Sequence, residues 1–511
     1  MENHDPNQPI SEKPTVIFEA RLRPFIEDEL NSNHLKLAHA QLSNLIQEIE
    51  VENVICNIDN DMLPLLAQLS DAWKLWATQE IESLVPVEII AIENQEKPNH
   101  LTLRDVLSRF CIYKMHGVPP PPPRSFEGSE STNSSEGYDD PEIPSAEVFD
   151  MPHHDFDGKW EELIFDQNHK EDLSWMISNM LTFSADARLA KKRMNPMALF
   201  HGPPGTGKTT ICQAIAQRLA IRLVETFPHT KLIQVKTATL LSKYYSESAT
   251  QVDDLLTKVK IMCQNNPRRI IIVLIDEVES IAVSRHSGVM HGEAQDSLRA
   301  TNSLLTGLDR VMTCPNVVFM STSNMIDCLD EAFVDRCAIQ IPFQPPSEES
   351  QYKILKASVL ELVRREIITA DLSTLLDPTQ LIQSWQEATL YTAFQSNSAT
   401  GKLLNIIMQL NSPSAKNKVG ISGRFLTQIP EQALMKSARP NKSLTLDVAL
   451  DCIEKFVQDL LSAREVRKRK LSGLEVEVQS GAKNHCCCVA QKDEYISNDG
   501  MQREFGYITK H

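Results

Sequence analysis

The sequence predicts an α/β fold: a doubly wound parallel sheet, followed by a small helical domain and preceded by a small α+β domain. Three observations carry this prediction. Apolar strands alternate with helical stretches from Trp160 to Phe343, the pattern of a sheet with helices on its faces. Ile270 to Ile275 is an unbroken apolar run, mostly β-branched, and a strand without polar alternation is buried on both faces. Between the strand Met197–Phe200 and a helix marked by Ile211, Ala214, Ile215 and Leu219 lies the glycine-rich segment HGPPGTGKTT.

Taken in order, residues 1–13 carry no pattern of a folded element, and residues 14–115 read as the small α+β domain. Thr15–Ala20 and Val87–Ile92 have strand character, and Leu35–Val51 and Met62–Ile81 have helical character. Residues 116–148 form a linker: five consecutive prolines, Pro119 to Pro123, precede a serine-rich acidic stretch. So little apolar surface cannot offset chain entropy, and disorder is expected. The nucleotide-binding sheet domain is placed at residues 149–346, opening with a turn and an amphipathic helix. Strands are expected at Leu232–Val235, Ile270–Ile275, Val317–Met320 and Ile339–Ile341. Residues 347–470 read as helices, at Glu348–Arg365, Leu403–Leu410, Gly423–Ser437 and Leu446–Lys468. Residues 471–511 have no sustained period and are expected to be loose.

Composition sets outer bounds. At 511 residues the chain has room for two or three domains, at roughly 100–200 residues each. A formal net charge of −17 argues against direct binding to nucleic acid or to an anionic membrane. The eleven cysteines have no regular spacing, as in a protein with reduced thiols. No apolar run approaches a signal core or a membrane span, so an intracellular soluble protein is expected.

The glycine-rich segment fits G-x-x-x-x-G-K-[ST], and its residue types answer one physical demand. A polyphosphate must be wrapped by backbone N–H groups, which side chains would obstruct. Gly202, Pro203, Pro204, Gly205, Thr206, Gly207, Lys208, Thr209 and Thr210 are therefore the candidate ATP-binding residues. Lys208 is placed to reach the β- and γ-phosphates, and the helix it opens turns its positive end toward them. Thr209 and Asp276 are the candidate Mg²⁺ ligands. Asp276 and Glu277 end the buried strand, where Glu277 can polarise the water that attacks the γ-phosphate. Asn324, at the tip of the neighbouring strand, can touch both the γ-phosphate and that water. Arg336, after LDEAFV, can reach the nucleotide of an adjacent subunit. Arg424, in the first turn of a helix, can distinguish di- from triphosphate. Lys243, Tyr244 and Tyr245 put two adjacent aromatics beside a cation in a polar loop, a costly exposure unless they grip something. His485 beside Cys486–Cys488 is a poor zinc set, because adjacent cysteines cannot easily spread around one tetrahedral ion. The basic run Arg464–Lys470 reads as the polar end of a helix.

Together GPPGTGKT, SKYYSES, VLIDEVES, STSN, DEAFVDR and GISGR resemble an AAA+ ATPase. More closely they are similar to the pachytene checkpoint protein 2 homologue family, the thyroid-hormone-receptor-interacting ATPase, over about Phe149 to Leu461. The resemblance implies an AAA+ sheet domain with a C-terminal helical lid, and a homo-hexameric ring that uses ATP and Mg²⁺. It implies remodelling of HORMA-domain proteins, often brought by an adaptor, in spindle-checkpoint and meiotic chromosome-axis control, in nucleus and cytoplasm. It also implies that the N-terminal domain recognises substrate. Asn324 and Arg424 become the two sensors, Arg336 the finger acting in trans, Tyr244 and Tyr245 the pore grip, and Ser284–Asp296 a second pore loop. Two departures stand out: Cys337-Ala338 where the family usually has Ala-Asp, and Tyr244 where it often has tryptophan. The alternatives are another AAA+ task, such as clamp loading or severing, and a nucleotide-gated scaffold. Clamp loaders need no pore aromatics, severing enzymes would show a more basic pore, and a scaffold needs no lytic carboxylate.

Overall fold

The structure, a computed structural model, describes residues 15–22, 40, 87–94, 107–117, 143, 145–166, 169–186, 195–240, 248–284, 294–369, 385–392, 398–412, 421–437 and 444–481. The chain divides into two compact units: Met1–Ile354 with Val419–Thr427, and Leu355–Lys418 with Gln428–His511.

In the first unit, β1 (Thr15–Leu22), β2 (Val87–Asn94) and β3 (Leu107–Tyr113) form a sheet of order β2-β1-β3. β1 and β2 extend the predicted strands by two residues each. β3 was not expected, and the helices expected at 35–51 and 62–81 lie, except for residue 40, outside the described residues. This sheet does not stand apart from the nucleotide-binding body. Ile17, Cys111, Tyr113 and Met115 bury against Ile221 of the helix that follows the glycine-rich loop. Glu19, only 4% exposed, lies 3.6 Å from both Arg218 and Arg222 of that helix. A carboxylate so buried is tolerable only with opposite charge beside it.

The main sheet has six strands: β4 (Ala146–Met151), β5 (Met197–His201), β6 (His229–Val235), β7 (Arg269–Ile275), β8 (Val317–Ser323) and β9 (Ile339–Pro342). Their order is β4-β6-β7-β8-β5-β9, parallel except for β4, which runs antiparallel on the edge. β4 corrects the sequence reading in two ways. It begins at Ala146, inside the expected linker, and it adds an antiparallel edge to a sheet expected to be parallel. β7 is buried along its whole length, as its unbroken apolar run requires. Ile271, Val273 and Ile275 face one core, with α3 (Ser248–Asn265) and α4 (Ala294–Val311) packed on it. Ile270, Ile272 and Leu274 face the other, with α1 (His169–Asp186) and α2 (Lys208–Arg222).

The second unit is helical. It holds most of α5 (Glu348–Arg364), then α6 (Trp385–Thr392), α7 (Ala399–Leu410), most of α8 (Gly423–Ser437) and α9 (Leu446–Gly481), with a two-stranded parallel pair, β10 (Ile368–Thr369) and β11 (Leu444–Thr445). Leu403, Leu404, Ile407 and Leu410 of α7, and Leu450, Ile453 and Val457 of α9, are buried. One expectation is corrected: the final helix runs to Gly481 rather than giving way to a loose tail at 471. Among the described residues no helix is long and apolar enough to cross a membrane.

Candidate active site

The glycine-rich loop leaves the C-terminal end of β5 and opens α2. Three of its glycines have positive φ: Gly202 at 143°, Gly205 at 75° and Gly207 at 91°. Gly202 is the most constrained, because a Cβ there would lie 2.2 Å from the Phe343 carbonyl oxygen. Its N–H donates to Ser323 O at 3.1 Å, and Phe343 N–H donates to His201 O at 2.7 Å. The loop root is thus stitched to both neighbouring strands. Lys208 follows Gly207 as the first residue of α2. Its Nζ donates to Gly202 O (2.7 Å), Pro203 O (2.8 Å) and Asn324 Oδ1 (2.9 Å). Burial pulls the Lys208 pKa down, while Glu279, Asp276 and Glu277 oppose that shift. Burial, with the Lys208 charge nearby, also holds His201 below its ordinary value.

The acidic pair sits where the sequence placed it, at the end of β7. Thr209 Oγ1 donates to Asp276 Oδ1 at 2.7 Å. A hydroxyl and a carboxylate held together are hard oxygen donors, and they fit the Mg²⁺ of a nucleotide complex. Glu277 is exposed and has left-handed backbone, φ 52° and ψ 50°, a conformation that costs a non-glycine residue about 1–3 kcal/mol and clusters at functional sites. Its N–H donates to Thr322 Oγ1 at 3.1 Å, and the Thr322 hydroxyl donates to Asp276 Oδ1. Asn324 N–H donates to Glu279 Oε1 at 3.0 Å. β8 lies between β7 and β5, so Asn324 is set between the loop and the acidic turn.

These groups line one cavity of about 390 Å³, within the range of small-molecule sites. Pro204 to Thr210, Asp276, Glu277, Thr322 and Asn324 form its polar floor. Leu163, Ile164 and Phe165 form an apolar wall on which a base can lie. Gly423, Arg424 and Thr427 complete it. Arg424 N–H donates to Gly205 O at 3.2 Å, which explains why this segment travels with the sheet domain. Its side chain is exposed. A polar cradle at a helix N-terminus, an apolar wall and a cation at the rim together fit a nucleoside triphosphate.

Not every predicted residue lines the cavity. Gly202 and Pro203 instead turn their carbonyls to Lys208. Arg336 lies outside: its Nε and Nη2 donate to the two Asp309 oxygens at 2.8 and 2.9 Å, and Nη1 donates to Ala332 O at 2.6 Å. Cys337 is buried, donating to Phe333 O. Lys243, Tyr244, Tyr245 and most of Ser284–Asp296 lie outside the described residues, as do Cys486–Cys488. Thr322 and Glu279 were missed. STSN and DEVES contain them, but only the cross-strand geometry gives them partners.

Residues 198–345 match the family described as ATPase family associated with various cellular activities (AAA), and residues 347–461 match the TRIP13-like, AAA+ ATPase lid C-terminal domain. The putative pachytene checkpoint protein 2 of Caenorhabditis elegans is 30% identical over 374 residues, 72% of this chain and 80% of that protein. The pachytene checkpoint protein 2 homolog of Arabidopsis thaliana is 35% identical over 301 residues, 57% of this chain and 61% of that protein. The solved structure of C. elegans PCH-2 has the same fold, with a TM-score of 0.58 at 23% identity over 88% of this chain and 99% of that one. The chain is an AAA+ ATPase and belongs to the pachytene checkpoint protein 2 family.

Proposed function

We propose that the protein is a homo-hexameric, ATP-driven remodeller that grips and locally unfolds HORMA-domain proteins. One observation supports the energy-converting half of this reading. Lys208, Thr209, Asp276, Glu277, Asn324 and Arg424 converge on one cavity, and Arg424 is tied by its backbone to the phosphate loop. Lys208 and the loop N–H groups bind the polyphosphate, and Glu277 takes the proton of the attacking water. Thr209 and Asp276 would hold Mg²⁺, which supplies charge neutralisation between the phosphates. Asn324 orients the water, and Arg424 carries the presence of the γ-phosphate to the helical unit. Arg336 completes the site of a neighbouring subunit, and Tyr244 and Tyr245 displace the substrate held in the pore.

The substrate class, the adaptor, the checkpoint and chromosome-axis roles and the nuclear and cytoplasmic location follow from the family resemblance. Glu277→Gln, which keeps the loop and loses the base, tests the reading. Incubated in cell extract, the full-length variant retains a HORMA-domain protein with ATP and releases it with ADP. Wild-type hydrolysis without any ATP-dependent partner of that class would leave the ATPase standing and refute the substrate.

A further inference from the structure

The tip of β8 and the turn after β7 are joined by three hydrogen bonds. Two belong to the acidic pair: Glu277 N–H to Thr322 Oγ1, and the Thr322 hydroxyl to Asp276. The third runs from Asn324 N–H to Glu279 Oε1 at 3.0 Å, and Glu279 has no role in the reading above. Asn324 lies just past the last residue of β8, Ser323, where the sheet ladder no longer fixes it. Its side chain is nonetheless committed, since Oδ1 accepts from Lys208 at 2.9 Å. The amide nitrogen of that side chain is left as the donor for a phosphate oxygen or a water.

Glu279 is built into the site in a way that folding does not ask for. It sits on the short 3₁₀ turn Val278–Ser280, entered through the left-handed backbone of Glu277. Its second oxygen, Oε2, is buried without a hydrogen-bond partner among the described residues. A buried carboxylate oxygen left unpaired is costly, and such groups call for an explanation beyond packing. Glu279 is also the carboxylate that most strongly offsets the burial of Lys208. It therefore holds the Asn324 backbone directly and lies near enough to Lys208 to offset part of its burial.

We propose that Glu279 is a positioning residue for ATP hydrolysis, which fixes the Asn324 backbone so that the Asn324 amide meets the γ-phosphate and the attacking water. The inference rests on the reading of Asn324 as the γ-phosphate sensor. A misplacement of about 1 Å in a site of this kind can cost about a hundredfold in rate, and Glu279 is what limits it here. Binding of the nucleotide is left to the loop and to Lys208.

The test uses the full chain with Glu279→Ala, Glu279→Gln, Asn324→Ala and the double alanine variant. Steady-state kcat for ATP and equilibrium binding of a non-hydrolysable ATP analogue are measured separately, with a thermal melt of each variant. Glu279→Ala is expected to lower kcat by about 30-fold and to leave analogue binding within about threefold. Glu279→Gln keeps a carbonyl oxygen for the Asn324 N–H and is expected within about threefold of wild-type kcat. The double variant is expected to be no slower than the slower single one, since the two residues act as a unit. Wild-type kcat in Glu279→Ala, multiplying losses in the double variant, or Glu279→Gln as slow as Glu279→Ala would each overturn the proposal. If Glu279→Ala loses its cooperative melt, Glu279→Asp replaces it; its shorter side chain withdraws the oxygen, and an unchanged kcat there is equally fatal. Wild-type kcat in Asn324→Ala removes the sensor reading and the positioning role with it. A slow Asn324→Ala beside a normal Glu279→Ala removes only the latter.

Discussion

Replacing Gly202 by alanine tests whether the loop geometry is as constrained as it looks. The residue has φ 143°, and its Cβ would lie 2.2 Å from the Phe343 carbonyl oxygen. Carbon and oxygen do not normally approach below about 3.3 Å, so the loop root or the end of β9 must move by about 1 Å. Two hydrogen bonds sit in the path of that movement, Gly202 N–H to Ser323 O and Phe343 N–H to His201 O. The backbone conformation costs alanine about 1–2 kcal/mol and each weakened bond about 0.5–1.5 kcal/mol, together about 2–5 kcal/mol. Function suffers separately, because Gly202 O is one of the three acceptors on Lys208. Urea unfolding read at constant slope gives the first number, and equilibrium binding of an ATP analogue is expected to weaken by more than about tenfold. Gly205→Ala is the control. Its Cβ would lie 2.9 Å from Ser422 Cβ, which moves only with its backbone, but this overlap is about 0.5 Å against about 1 Å at Gly202. The stability loss should therefore exceed the cost of its φ, about 1–2 kcal/mol, and still fall below that of Gly202→Ala. A Gly202→Ala protein with wild-type stability and affinity would show that the strand-to-loop contact is slack, and the argument for the loop as a rigid cradle would fail.

Asp309 is held below the usual carboxylate range by its hydrogen bonds from Arg336, so the pair adds stability above that range and loses it as pH falls through the depressed value. Asp309→Asn should destabilise the protein slightly at pH 7, by less than about 1 kcal/mol for so exposed a pair, and the gap to wild type should close below about pH 4; a gap independent of pH refutes the assignment. Burial pushes the Cys337 thiol up to about 12, so it should resist iodoacetamide at pH 8 in the native protein and react after unfolding. Mass spectrometry finding Cys337 alkylated as fast as in the unfolded chain would contradict its buried place. If Arg336 acts on a neighbour's nucleotide, Arg336→Ala and Glu277→Gln should each be nearly inactive alone, yet regain measurable ATPase when mixed; mixtures no better than their parts would put the arginine's role within its own subunit.

The sheet was legible because its strands announce themselves by burial. β7 reads as six apolar residues and is buried at every position, and the loop that follows β5 needs glycines that no other residue replaces cheaply. β4 was not legible. AEVFDM carries two carboxylates, and only Phe149 and Met151 of this strand pack on the core that α1 and α2 cover, while its ladder to β6 runs from Ala146 opposite Val235 to Met151 opposite Thr230. The end of α9 was hidden for the opposite reason. Ser472 and Gly473 weaken the helical pattern, but no proline follows to end the helix, which continues to Gly481. In the site, Lys208, Asp276, Glu277, Asn324 and Arg424 were found by type, whereas Glu279 and Thr322 were passed over. The importance of Thr322 lies in its hydrogen bond to Asp276, just past the end of the neighbouring strand and 46 residues away in sequence.

The two arginines show most clearly what geometry adds. By motif they stand on a par, each a cation close to a turn of the ATPase pattern, and either could serve as a plain surface ion pair. The structure separates them. Arg424 lines the cavity of its own chain, with its backbone on Gly205, and its guanidinium makes no hydrogen bond or ion pair among the described residues. Arg336 lies off that cavity with Nε, Nη1 and Nη2 all engaged, two of them by Asp309 on α4. A phosphate that recruits Arg336 must first compete with a carboxylate gripping it through two nitrogens, while one that recruits Arg424 meets no such rival. The two side chains are therefore unequal partners for one nucleotide, and a mechanism that uses both must bring Arg336 its phosphate from somewhere other than the cavity Arg424 lines.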